Sequence, residues 1–248
     1  MLPAELPKPL DTLIPDFAHA LKQEFEAELV SVIVYGAVAR GSYDDGSSDI
    51  NLLIVVESFS PRIYKVIAEK LRALRKKVAI DPLVVSRDSL KRTVHCFALK
   101  FMSIDRHHIV VEGADVLQDI ADDPAHLRFL VEQELRNLRL RSLRAYLLTS
   151  HDDKRFTTMG LRFYTKAMLA FSNVLRVEGI ALPESFEERL AVFEKHFQVP
   201  IAALQKMQSV KARANEAGVR LVSEDLLALV ENIHLVLRWL TKRWELMT

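Results

Sequence analysis

Three polar side chains interrupt otherwise apolar, β-branched runs. Asp49 and Asn51 stand at the mouth of D-I-N-L-L-I-V-V, and Asp81 lies inside V-A-I-D-P-L-V-V-S. A charge among apolar neighbours is costly to bury without a partner. Strand alternation puts residues 49 and 51 on one face. Two aspartates and an asparagine carbonyl on neighbouring strands would make a cradle for a divalent cation. Upstream, Gly36, Gly41 and Gly46 with Ser42, Ser47 and Ser48 form a loop too polar for a core. The blander alternatives are an ordinary strand–helix turn at 36–46, a loop or capping acid at Asp49, and a turn acid before Pro82 at Asp81.

The elements that must position these residues follow from periodicity. Val30–Tyr35 and Ile50–Val56 are apolar runs bounded by turn residues, which predicts buried strands at 30–35 and 49–57. A helix is expected over 11–28, where Leu13, Phe17, Leu21 and Phe25 recur every four residues, and a short one is expected to begin at 37–40. Pro61 opens a helix over 61–77. Strand 78–86, helix 88–101 and strand 108–111 follow. Helix and strand thus alternate to about residue 113, which predicts an α/β or α+β sheet domain. From Pro124 onward only helical periodicity remains, over 124–150, 162–178, 185–197, 201–217 and 223–246. The expected fold class is α+β, with residues 1–120 a mixed sheet flanked by helices and 121–248 an all-α bundle.

Gly36, Asp49, Asp81 and the stretch Y-G-A-V-A-R-G-S-Y resemble the nucleotidyltransferase superfamily of the DNA polymerase β type, including its minimal and antibiotic-modifying members. The family pattern is an apolar strand ending in Gly-Ser or Gly-Gly, a loop, Asp-apolar-Asp, and a third acid on a later strand. Two positions depart: Ala37 replaces the Ser or Gly, and Asn51 replaces the second strand carboxylate. The resemblance implies transfer of a nucleoside monophosphate from a nucleoside triphosphate to a hydroxyl, with Mg2+ or Mn2+ as cofactor. On it, Asp49 bridges the metals, and Asp81 either binds the metal nearest the attacking hydroxyl or acts as base. Asn51 ligates through its carbonyl oxygen without adding charge. The backbone of Gly36 and Ala37 cradles phosphate, with Arg40, Ser42 and Ser48 as further contacts. By analogy with antibiotic-modifying relatives the acceptor is a small molecule, and a protein side chain is equally open.

Composition bounds the remaining classes. The chain has 248 residues, half of them hydrophobic, and a net charge of +1, so no overall field recruits nucleic acid or an acidic membrane. Nucleic acid is not expected as a partner. The single cysteine, Cys96, rules out an internal disulfide and fits a reducing compartment. No signal pattern or membrane-length apolar run is present, so a cytoplasmic protein is expected. A homodimer through the helical half stays open. Arg189 and His196, about two turns apart on one expected helix, resemble the Arg…His pair of HEPN-type ribonucleases. Against this, an Arg and a His arise easily at that spacing among 34 basic residues and eight histidines. Arg136, Arg139, Arg141 and Arg144 read as the wet side of a helix, and Asp105, His107 and His108 match no metal-ligand spacing well. Two further functions therefore remain beside the enzyme: a nucleotide-binding regulator that lost turnover, favoured by Asn51 and Ala37, and a toxin–antitoxin component.

Overall fold

The computed structural model describes residues 6–43, 49–118, 123–149, 152–183, 185–213, 216 and 218–245. The chain divides into two compact units, Met1–Asp122 and Asp123–Thr248.

In the first unit, helix α1 (Leu10–Phe25) and a single 3-10 turn lead into strand β1 (Leu29–Tyr35). Strand β2 (Ile50–Val56), helix α2 (Pro61–Leu74) and strand β3 (Ile80–Ser86) follow, then helices α3 (Arg87–Cys96) and α4 (Ala98–Arg106) and strand β4 (His108–Gly113). The sheet order is β3-β2-β1-β4. β1 runs antiparallel to both β2 and β4, whereas β2 and β3 are parallel and joined by the α2 crossover. A parallel pair needs such a long connection, and an antiparallel pair does not. The sheet is mixed and the fold α+β.

Strand alternation splits the core in two. Val32, Val34, Leu52, Ile54 and Ile80 pack with Leu21 of α1 and Ile67 of α2. Ile33, Tyr35, Leu53, Val55 and Val85 pack instead with Phe101 and Ile104 of α4. All seven residues of β1 are buried, as a central strand covered on both faces requires.

Several local expectations are corrected. The predicted helix 88–101 is two helices, because Phe97 leaves helical geometry at φ −120° and ψ 35°. The break re-aims the chain so that Phe101 and Ile104 reach the sheet while Phe97 stays exposed. The predicted helix 61–77 ends at Leu74, and residues 75–77 form a turn. Residues 37–40 belong to a hydrogen-bonded turn rather than a short helix.

The second unit, among its described residues, is helical: α5 (Pro124–Thr149), α6 (Asp153–Val177), α7 (Phe186–Phe197), α8 (Ala202–Ala212) and α9 (Ser223–Glu245). α6 begins nine residues before the predicted 162 because Asp152 caps it, its side chain accepting from the Arg155 amide. Gly160 lets α6 approach Leu221, whose Cδ1 would lie 2.6 Å from a Cβ there. Phe171, Phe193, Phe197 and Trp239 form an aromatic cluster with edge-on and stacked contacts.

Candidate active site

Strand register builds the site. Tyr35 on β1 pairs with Asn51 on β2, Asn51 pairs with Asp81 on β3, and Tyr35 also pairs with His108 on β4. Registered neighbours share a sheet face. Tyr35 belongs to the core on the α4 side, and so do Leu53 and Val55, which lie two and four residues beyond Asn51 and share its face. Asn51 and Asp81 therefore face the same way at the end of their strands.

Asp49 and Asp81 are both exposed and line one open cavity of about 500 Å3. The half-buried Asn51 donates from Nδ2 to the Asp49 carbonyl at 3.4 Å, a long bond that links the pair locally. The amide of Ile50 donates to Ala79 O at 2.9 Å, which fixes the start of β2 against the approach to β3. Two residues distant in sequence are thereby held at one rim.

The glycine bend follows β1 and approaches the site through Asn51. Gly36 has φ +80°, and a Cβ there would lie 2.6 Å from Asn51 Nδ2, so only glycine fits both the backbone and the space. The bend closes on itself: Gly36 O accepts from the Arg40 amide at 3.1 Å, and Ala37 O from the Ser42 amide at 3.0 Å. The Ser42 hydroxyl also donates to Ala37 O, at 3.4 Å. Arg40 is exposed beside this turn. Ser48, like Gly46 and Ser47, lies outside the described residues.

Electrostatics tie the row together. Burial pushes the Tyr35 phenol up to about 12, and the nearby negative charge of Asp81 pushes in the same direction. The Lys100 ammonium lies 6.0 Å from the Tyr35 ring centroid, in cation–π range. Among the described residues there is no group of three or more His, Cys, Asp or Glu placed to hold a metal. The groups that could hold a cation here are thus two carboxylates and the Asn51 carbonyl oxygen. That set suits magnesium, which takes one or two protein carboxylates and completes its shell with water and phosphate oxygens.

Other sequence candidates fall elsewhere. His108 bonds through Nδ1 to Asp105 O at 2.8 Å and through Nε2 to Asp115 at 3.3 Å, a local clasp at the start of β4. Arg136 pairs with Glu132 one turn earlier, at 2.6 Å. Arg189 and His196 are half-buried on α7, where Arg189 Nε donates to Pro183 O at 3.3 Å. Sequence reasoning missed the three cations that line the cavity, Arg75, Lys76 and Lys77. Their signal is the R-K-K run just before the strand that carries Asp81, which periodicity assigns to the tail of a helix.

The sequence matches the nucleotidyltransferase domain family over residues 14–139. No curated protein sequence matches the chain. Among solved structures, the fold resembles spectinomycin adenyltransferase AAD(9) from Enterococcus faecialis, crystallised with ATP and spectinomycin. The TM-score is 0.57 at 10% identity, over 90% of this chain and 98% of that one. With a domain match across half its length, this chain belongs to the nucleotidyltransferase domain family.

Proposed function

We propose that the protein transfers a nucleoside monophosphate from a nucleoside triphosphate to a hydroxyl acceptor. The observation that carries this reading is that Asp49 and Asp81 line one cavity, with Asn51 in register beside Asp81 and Gly36 against Asn51. Asp49, Asn51 and Asp81 would hold a divalent cation, which supplies charge neutralisation for the polyphosphate and the leaving pyrophosphate. The amides of Gly36 and Ala37 hold phosphate oxygens, and Arg40 and Ser42 add contacts around them. Asp81 orients the acceptor hydroxyl and takes its proton as the new oxygen–phosphorus bond forms. The bond from the α-phosphorus to the bridging oxygen breaks, and pyrophosphate leaves on the opposite side.

The named structural neighbour, crystallised with ATP and spectinomycin, lends support to a small-molecule acceptor. The helical unit then serves as a module for the acceptor or a protein partner. A regulator that binds nucleotide without turnover is the second reading, favoured by Asn51 where the family pattern has a carboxylate. Pyrophosphate release from ATP separates them. The enzyme reading expects magnesium-dependent release that drops at least 100-fold in Asp49→Ala and Asp81→Ala, and nucleotide binding without any release supports the regulator.

A further inference from the structure

The cavity that holds Asp49 and Asp81 has a basic wall. Arg75, Lys76 and Lys77 line it on the turn between α2 and β3, and all three are exposed. The turn is anchored: the Arg75 amide donates to Leu71 O at 2.8 Å and the Lys77 amide to Leu74 O at 2.9 Å. Leu71 and Leu74 are themselves buried. Among the described residues, none of the three cations forms an ion pair. Two carboxylates therefore face three cations, and any bound divalent ion raises the balance further toward positive.

Sheet order says what this wall meets. β2, with Asp49 and Asn51, lies between β1, which ends at the Gly36 bend, and β3, which the basic turn feeds. In-line displacement puts the leaving group and the attacking hydroxyl on opposite sides of the α-phosphorus. With the polyphosphate on the Gly36 side, the hydroxyl arrives from the β3 side, past Arg75, Lys76 and Lys77. We propose, resting on the nucleotidyl-transfer reading above, that the acceptor is a small molecule carrying a phosphate beside its hydroxyl, recognised by Arg75, Lys76 and Lys77. A polycationic acceptor is repelled by the same wall, so the turn selects against it as well as for an anion.

The alternative source of phosphate is the nucleotide itself, and one experiment distinguishes them. Binding of ribose 5-phosphate, ribose and a nonhydrolysable ATP analogue with magnesium is measured by calorimetry on the full chain. The proteins are the wild type and the triple variant Arg75→Ser/Lys76→Ser/Lys77→Ser, with unfolding midpoints compared to verify folding. Ribose 5-phosphate is measured both with and without the nucleotide analogue. The expected result is binding of ribose 5-phosphate at least tenfold tighter than ribose, lost at least tenfold in the triple variant, with analogue affinity changed less than twofold. Equal loss of analogue and ribose 5-phosphate assigns the cations to the triphosphate and overturns the proposal. So does equal affinity for ribose and ribose 5-phosphate, or no binding of either. Failure of the wild type to bind the analogue removes the nucleotidyl-transfer reading instead, a result that the sugar titrations do not mimic.

Discussion

At Gly36 two constraints coincide: the backbone φ is +80°, and a Cβ placed there would come within 2.6 Å of Asn51 Nδ2. Gly36→Ala must adopt left-handed geometry and also push Asn51 aside. The expected cost is about 1–3 kcal/mol, read from the denaturation midpoint, with weaker nucleotide binding alongside. Asp81 offers a second single-residue test through its neighbour. The Tyr35 phenol is held at about 12 by burial first and by Asp81 second. In Asp81→Asn the electrostatic part disappears, so the phenol should titrate lower while remaining above its ordinary 10.0. Ultraviolet titration against a Tyr35→Phe control reads this shift, and an unmoved titration would contradict the closeness of the two groups.

Among the elements, three helices of the second unit meet at one carboxylate. Glu178 caps the end of α6 with its side chain 1% exposed, paired with Arg243 of α9 and 3.6 Å from Arg128 of α5. Trp244 donates to it from Nε1 at 2.9 Å. Burial alone would raise its pKa. Hydrogen bonds from Arg243 and Trp244 and the charges of Arg243 and Arg128 outweigh burial, and the net direction is down from 4.5. A carboxylate depressed in the folded state stabilises it above the unfolded pKa and loses that contribution as pH falls through the folded value. Wild-type stability should therefore decline below about pH 4.5. Glu178→Gln should cost about 2 kcal/mol near neutrality, discounted from a fully buried pair because Arg243 is half exposed, and should flatten the acid slope. Equal slopes in acid denaturation series of the two proteins would show that Glu178 is not the group responsible. The strands and most helices were legible locally, because β-branched runs and four-residue spacings are local signals. Other features were not. The break at Phe97 lies within continuous helical spacing and is set by where Phe101 must be buried. The early start of α6 depends on Asp152 as cap, over a first turn with little apolar periodicity. The end of α2 at Leu74 turned an expected helix tail into the basic wall at Arg75–Lys77.

For the molecule as a whole, the fold is that of a nucleotidyltransferase domain preceding a helical unit. The family match ends at residue 139, inside α5, and the resemblance to the adenyltransferase extends over both units. Among the described residues, no helix is long and apolar enough to cross a membrane. A net charge of +1 provides no global field, so any recognition of a charged ligand would fall to local arrangements of side chains. The candidate residues Asp49, Asn51 and Asp81 could be named from the chain alone. The face that Asn51 shares with Asp81 could not, because their pairing is made across a long parallel crossover that no local pattern encodes.

Whether Asp49 and Asp81 share one cation against a polyphosphate is decided by calorimetric titration of a magnesium–nucleotide analogue into wild type, Asp49→Ala, Asp81→Ala and Asn51→Asp. Magnesium-dependent binding is expected in the wild type, with a loss of about tenfold or more in each alanine variant and tighter metal binding when Asn51→Asp restores a third carboxylate. Unchanged affinity in both alanine variants, with or without magnesium, would contradict the shared cation.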